Sequence, residues 1–188
     1  MPRPTRCVAF LRAINVGGRN VKAPELIRVF ARAGLADVTT FLASGNVIFT
    51  APGAAGPRLE GKLAAALEAA LGYPVPVFVR SGPELVAVAA HEPFPPAMVQ
   101  EARAIHVLFL AQPATPAFTR GLTAYRNAED EFHVRGREAW WLCRTRITES
   151  PFGKAPAERR LGVTWTARNR NTVVRLVERY GLDGQGRT

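Results

Sequence analysis

The segment CVAFLRAINVGGRN, Cys7 to Asn20, joins an almost continuous apolar run to a polar loop that contains two glycines. A short apolar run without polar alternation is typical of a strand that is buried on both faces of its sheet. The loop after it combines amide groups, an arginine and the adjacent glycines. Two interpretations follow: a turn whose backbone requires glycine, or a loop whose N–H groups hold an anion.

The residues that follow this segment continue a βαββαβ order. PELIRVFARAG predicts a helix that ends at a glycine, and DVTTFLA and NVIFT predict two strands joined by a tight turn. Four leucines spaced by four residues in PRLEGKLAAALEAALG predict a second helix, and VPVFVRS predicts a fourth strand. This order of elements is that of a ferredoxin-like unit.

The rest of the chain predicts a connector and a second, looser copy of the same order. We expect an N-terminal ferredoxin-like lobe over residues 1–81, a connector with a helix over 82–103, and a C-terminal ferredoxin-like lobe over 104–188 that ends in a helix. The predicted fold class is therefore α+β, with two tandem ferredoxin-like (βαββαβ) lobes related by duplication.

Composition narrows the class of protein. The 188 residues carry a formal net charge of +10 and are 47% hydrophobic, enough for a core without disulfides. No apolar run reaches the length of a membrane span, so we expect no membrane partner. Two isolated cysteines favour buried thiols in a reducing compartment, so we expect a cytoplasmic protein. Three scattered histidines have no metal-ligand spacing, so no metal site is predicted. The positive charge is compatible with nucleic acid but also with arginine-rich coding bias.

Topology predicts that two polar segments meet. In a βαββαβ unit, the loop after the first strand and the hairpin between the second and third strands emerge at the same edge of the sheet. These are NVGGRN and SGN, and a third segment, TARNRNT, is predicted to begin the last helix, where unpaired N–H groups attract anions. The predicted ligand-binding residues are Arg12, Asn15, Gly17, Gly18, Arg19, Asn20, Ser44, Gly45, Asn46, Arg168, Asn169 and Asn171.

We expect this composite site to bind a small anionic ligand, either a nucleotide or another phosphorylated or carboxylated metabolite. Arg168 supplies a forked cation that matches phosphate or carboxylate. The three segments contain no histidine, cysteine or carboxylate, so no catalytic residue is assigned and the motifs favour recognition over catalysis. The residues indicate no particular cofactor and no oligomeric state.

Three motifs, FLRAINVGGRN, TFLASGNVIF and TARNRNTVVRL, are similar in order and spacing to those of the bacterial domain of unknown function 1697. The resemblance covers nearly the whole chain and implies two ferredoxin-like lobes in tandem, without implying a reaction. Ala13 stands where the family usually has glycine. The segment around Ser150 matches the family's serine-bearing segment only loosely.

Two other functions are alternatives to the binding of a small anionic ligand. A nucleic-acid-binding protein would use the basic surface and stack a base on whichever of Trp140 and Trp141 is left outside the core. An interaction or assembly protein would use the polar motifs only to stabilise turns and lobe contacts. That last alternative predicts motifs filled by internal hydrogen bonds, with no cavity open to water.

Overall fold

The computed structural model describes residues 4–15, 20–42 and 45–182. The elements of the first half are β1 (Thr5–Leu11), α1 (Ala23–Arg32), β2 (Ala36–Phe41), β3 (Asn46–Ala51), α2 (Pro57–Leu71), β4 (Val77–Ser81) and α3 (Gly82–Ala90). Those of the second half are α4 (Pro96–Glu101), β5 (Ala104–Leu110), α5 (Pro116–Thr123), β6 (Asp130–Arg135), β7 (Glu138–Cys143), α6 (Pro151–Lys154), α7 (Ala157–Leu161), β8 (Trp165–Asn169) and α8 (Arg170–Tyr180).

The strands form two four-stranded antiparallel sheets, so the fold is α+β. The strand orders are β2-β3-β1-β4 and β6-β7-β5-β8, and every pair of neighbouring strands is antiparallel. In the first sheet, β3 lies between β1 and β2, which places the end of β1 beside the β2–β3 turn. Along the described ranges, no helix has both the length and the apolar composition of a membrane span.

The chain divides into two compact units. The first consists of Met1–Ala87 together with Leu176–Thr188, and the second consists of Val88–Arg175. The last helix, α8, therefore begins in the second unit and ends in the first.

Strand β1 is the centre of the first unit. Its alternate residues Cys7 and Ala9 belong to one core with Phe30 of α1 and Leu67 of α2. Phe10 points to the opposite face and is also fully buried, as the apolar run predicts.

The opposite face of this sheet receives the end of α8. The Tyr180 ring contacts Phe41 of β2 edge-on, with 6.0 Å between centroids, and the Arg6 guanidinium lies 5.8 Å from the centre of the same tyrosine ring. Both faces of the first sheet are thus covered within one unit.

Aromatic rings fill the core of the second unit. The Phe152 ring lies 4.7 Å from Phe132 and 4.9 Å from Trp141, measured between centroids. Phe118 and Leu122 of α5 belong to the same core. Helices α5, α6 and α7 therefore pack against one face of the second sheet.

The prediction that TARN begins the last helix is wrong. Ala167 pairs with Leu108 and Arg168 pairs with Val107, so these residues are the end of strand β8, and α8 begins only at Arg170. The physical reason is that the apolar strand β5 has an open edge, whose backbone groups need partners. Pairing with that edge keeps the segment extended through Asn169.

Ala13, just beyond β1, has a φ of 55°. The left-handed region costs a residue with a Cβ about 1–2 kcal/mol, which explains why glycine suits this position. We predict that Ala13→Gly raises the free energy of unfolding by about 0.5–1 kcal/mol, because relief of this strain exceeds the added freedom of glycine in the unfolded chain.

Urea unfolding of the Ala13→Gly variant measures this gain. The matched control is Ala102→Gly, since Ala102 has an ordinary φ of −74° and its replacement should destabilise by about 0.5–1 kcal/mol. Equal losses in both variants would show that the left-handed backbone at Ala13 carries no strain.

Candidate functional site

A cavity of about 390 Å³ lies where β1 ends, and we call it the β1 cavity. Four of the predicted residues line it: Asn15, Asn20, Gly45 and Asn46. The remaining lining residues were not predicted: Val21, Lys22, Ala23, Leu26, Thr40 and Leu42. The cavity therefore combines the ends of the β1 loop, the β2–β3 turn and the first turn of α1.

The loop after β1 is tied at its ends. The Asn15 side-chain oxygen accepts a hydrogen bond from the Val21 backbone N–H at 2.9 Å. Arg12 is half-buried, its backbone N–H donates to the Pro76 carbonyl at 3.1 Å, and it does not line the cavity. The predicted residues Gly17, Gly18 and Arg19 lie outside the described residues.

The β2–β3 turn holds its two described site residues in the interior. Asn46 is fully buried, and its amide donates to the Phe41 carbonyl at 2.9 Å. The Gly45 carbonyl accepts from the Leu11 backbone N–H at 2.7 Å, and Gly45 has a φ of 73°. This turn thus has a structural role in addition to lining the cavity. Ser44, the third predicted residue here, falls outside the described part of the chain.

Lys22 is a cation at the β1 cavity that lies outside the predicted motifs. It is exposed, occupies the position that caps α1, and makes no capping hydrogen bond with its side chain. The first N–H groups of a helix lack partners within the helix and carry partial positive charge. Lys22 and the start of α1 therefore make this wall of the cavity electropositive, although Glu25 in the same turn offsets part of that charge. The proline in the first turn was the available signal, since it marks the helix start.

Leu42 is an unusual residue for a cavity wall. It has a φ of 58° and is 49% exposed, although it is a large apolar side chain. A branched residue in the left-handed region stores about 1–3 kcal/mol of strain, and such residues concentrate at functional sites. No sequence pattern pointed to it.

Comparison with known families identifies the chain. The family model for "Protein of unknown function (DUF1697)" matches residues 5–140, which is most of the protein. The chain belongs to the DUF1697 family. A comparison with curated proteins finds no match.

A solved structure shares the fold of this DUF1697 protein. The conserved bacterial protein SP0830 from Streptococcus pneumoniae is similar with a TM-score of 0.71 and 20% sequence identity. The similarity covers 94% of this chain and 98% of the other. At this identity the likeness shows the α+β fold alone.

The TARN residues of this family member all lie in β8, and Asn171 follows in the first turn of α8, within the second unit. The Arg168 guanidinium donates to the Thr166 hydroxyl at 2.9 Å and to the Ala167 carbonyl at 2.8 Å. Arg168 retains some exposed surface, but its guanidinium is removed from water enough to lower its pKa to about 10. The Asn169 side chain accepts from the Asn171 backbone N–H at 2.8 Å and so satisfies one donor at the helix start.

The two cysteines are unsuited to nucleophilic chemistry. Cys7 is fully buried, and burial together with the nearby Glu84 carboxylate raises the pKa of its thiol to about 11. Burial is also the main reason why the pKa of Cys143 is raised, and its thiol donates to the Thr145 carbonyl. Both side chains are therefore neutral at physiological pH.

Two of the histidines, 42 residues apart in sequence, are neighbours in the fold. His91 and His133 lie 5.1 Å apart between ring centroids, and the Arg135 guanidinium donates to His91 Nδ1 at 3.5 Å. Burial, followed by the charges of His133, Arg135 and Arg170, lowers the pKa of His91. Among the described residues, no group of three or more His, Cys, Asp or Glu side chains could hold a metal ion.

The predicted base-stacking platform on β7 is wrong. Trp140 is 1% exposed and Trp141 is 3% exposed, so neither ring is available to a base. Trp141 donates to the buried Asp130 carboxylate at 2.7 Å, and Trp140 packs edge-on against His91. Helices and loops cover both faces of this strand, which alternation in the sequence does not reveal.

The chemistry available in the β1 cavity is that of recognition. Its lining residues within the described ranges offer amide groups, a hydroxyl, an ammonium and the first turn of a helix. None of those lining residues has a carboxylate, an imidazole or a thiol. Such a set orients and neutralises an anion but lacks the usual general acids and bases.

Proposed function

We propose that this DUF1697 protein binds a small anionic ligand, a nucleotide or another phosphorylated metabolite, in the β1 cavity. One observation carries the proposal. Four residues from two separate predicted motifs, the loop after β1 and the β2–β3 turn with the first residue of β3, line one cavity beside Lys22. The alternative in which the motifs serve only as internal structure predicts no such cavity.

Size and charge support an anionic ligand. A volume of about 390 Å³ is within the usual range of small-molecule sites. Lys22 is exposed and stands at the start of α1, where phosphate groups are commonly held by helix N–H groups. Asn20 is exposed at the other side of the same loop, and its amide can orient a ligand by donating and accepting.

A thermal-shift screen at fixed ionic strength, with mononucleotides and phosphorylated metabolites, tests the proposal. A ligand at about 100 times its Kd should add about 2.7 kcal/mol to the free energy of unfolding, which is roughly 5–10 °C in Tm for a chain of this size. We predict that Lys22→Ala weakens binding of that ligand by about 1.5 kcal/mol or more, the lower value for a charged hydrogen bond.

Lys154→Ala is the matched control, because it removes an equal charge from an exposed lysine far along the sequence. The proposal is refuted if Lys22→Ala keeps full affinity, or if no compound of the panel raises the Tm. Either result favours motifs that are purely structural. Shifts confined to RNA or DNA, fading with added salt, favour the nucleic-acid alternative instead.

We also propose, from the sequence motifs, that Arg168, Asn169 and Asn171 contact the ligand. If Arg168 contacts the ligand, Arg168→Ala should weaken binding by about 1.5 kcal/mol or more. Full affinity in that variant, together with loss in Lys22→Ala, confines the site to the first unit.

We also propose that residues 1–81 and 104–188 are ferredoxin-like lobes related by duplication, with 82–103 as a connector. The support is the matching strand order, in which β5 to β8 repeat the arrangement of β1 to β4. Position-by-position comparison of the two halves across many family sequences tests this origin. Similarity no greater than that between unrelated lobes of the same topology would contradict it.

A further inference from the structure

A second cavity, of about 630 Å³, lies in the second unit, and we call it the proline cavity. It is formed by the proline-rich segment 93–96, helix α4, the start of β5 and Arg170 at the start of α8. NVGGRN and SGN contribute no residue to it, whereas Arg170 belongs to TARNRNT.

Most of its wall is apolar. Three of the four residues in segment 93–96 are prolines and the fourth is Phe94. Val99 and Ile105 complete the apolar part of the wall, and Gln100 adds an uncharged polar side chain. Val99 is 40% exposed, one of three large apolar side chains described as exposed. Proline rings hold their backbone in place, so this wall loses little conformational entropy when a ligand covers it.

Arg170 supplies the positive charge of the cavity. Its guanidinium donates to the Ala89 carbonyl at 3.0 Å, which fixes its position, and contacts the Glu92 carboxylate at 3.3 Å. The Arg170 side chain is 23% exposed, and its Nε–H is buried without a hydrogen-bond partner among the described residues. The end of this oriented guanidinium already contacts one carboxylate and is therefore suited to the carboxylate of a ligand.

Glu92 already shows the chemistry that Arg170 accepts. Its side chain is 77% exposed, so its ion pair with Arg170 is weak and exchanges easily with water. A ligand carboxylate that is anchored by an apolar body can take the place of the Glu92 carboxylate without leaving Arg170 unpaired.

We propose that the proline cavity binds an amphipathic monocarboxylate. Its apolar body packs against the prolines, Phe94 and Val99, and its carboxylate pairs with Arg170 in place of Glu92. One guanidinium within a largely apolar wall matches a single negative charge, whereas a phosphate dianion would lose more hydration than this site returns. The volume falls within the usual range for small-molecule sites.

Calorimetric titration of the full chain with octanoate at fixed ionic strength tests this proposal. Octanol has the same body without the charge, and acetate has the charge without the body, so each should bind at least about tenfold more weakly. Phenylacetate, titrated in parallel, distinguishes an aromatic from an alkyl body within the same ligand class.

Two substitutions should shift octanoate binding in opposite directions. Arg170→Gln should weaken it at least about tenfold, as expected for loss of a charged hydrogen bond. Glu92→Gln should tighten it severalfold, because it removes the competing carboxylate. Arg159→Gln is the matched control, since Arg159 is exposed and does not line the cavity.

Octanol that binds as tightly as octanoate overturns the proposal, as does full affinity in Arg170→Gln or unchanged affinity in Glu92→Gln. If Arg170→Gln fails to fold, Val99→Asp decides, because a carboxylate on the exposed wall should repel octanoate but not octanol. Lys22→Ala should leave octanoate binding unchanged, so failure here is distinguishable from failure of the β1 cavity.

Discussion

Replacement of Gly45 by alanine is expected to lower the free energy of unfolding by about 2–4 kcal/mol. Gly45 has a φ of 73°, where a residue with a Cβ is strained by about 1–2 kcal/mol. A Cβ at this position would also lie 2.7 Å from Ile14 Cγ2 and 3.1 Å from Leu11 Cβ. Both neighbours are buried, so they cannot move without repacking the core, which costs about 1–3 kcal/mol more.

Urea unfolding measures this loss, and two other glycines separate its causes. Gly34 has a φ of 83° but open space around its Cβ position, so Gly34→Ala should show only the backbone strain. Gly53 has neither a left-handed backbone nor a close neighbour, so Gly53→Ala should change stability by less than about 0.5 kcal/mol. A Gly45→Ala variant no less stable than Gly34→Ala would show that the turn does not pack against β1 as described.

The second large effect is expected at Asp130, a fully buried carboxylate in the second unit. It accepts hydrogen bonds from Trp141 Nε1 at 2.7 Å and from the Ser150 hydroxyl at 2.8 Å. The Phe152 backbone N–H and the Asn127 amide donate to its other oxygen at 3.2 and 3.1 Å. These four donors join the β6–β7 hairpin to the start of α6.

We predict that Asp130→Ala lowers the free energy of unfolding by about 3–5 kcal/mol. It leaves the buried Trp141 and Ser150 donors without an acceptor, at about 1–3 kcal/mol each, and opens a cavity. Asp130→Asn should lose less, because it keeps one acceptor oxygen and the side-chain shape. Urea unfolding followed by tryptophan fluorescence measures both.

Glu68→Ala is the control for loss of an acidic side chain, since Glu68 is exposed on α2. It should change stability by less than about 0.5 kcal/mol. If Asp130→Ala is equally mild, water must satisfy the four donors, and the carboxylate does not organise this part of the core.

Local signals in the sequence were sufficient for most elements of the first sheet. The leucine spacing predicted α2, and Gly72 ends it with a φ of 78°. The uninterrupted apolar run predicted β1 as a strand buried on both faces. These signals succeed because helix periodicity, glycine end caps and two-sided burial each depend on neighbours close in sequence.

Sequence patterns gave wrong predictions, or none, where a residue's conformation or burial depends on contacts with residues distant in sequence. TARN is extended because β5, about 60 residues earlier, offers an open edge to pair with. His91 and His133 are neighbours, and both tryptophans of β7 are buried, because of packing that no local pattern records. No local pattern records the positions of Lys22, Leu42 and Arg170 in the cavity walls either.

The sequence by itself determined the α+β class, the order of the strands in the first sheet, and the meeting of the β1 loop with the β2–β3 turn. It could do so because alternation, helix spacing and the crossing rules of a βαββαβ unit restrict the chain to very few topologies. Only the tertiary structure decided that this meeting encloses a cavity beside Lys22, that Asp130 is buried, and that Arg170 faces a wall of prolines. Those features depend on how side chains from separate elements fill space, and close packing is a property of the whole fold.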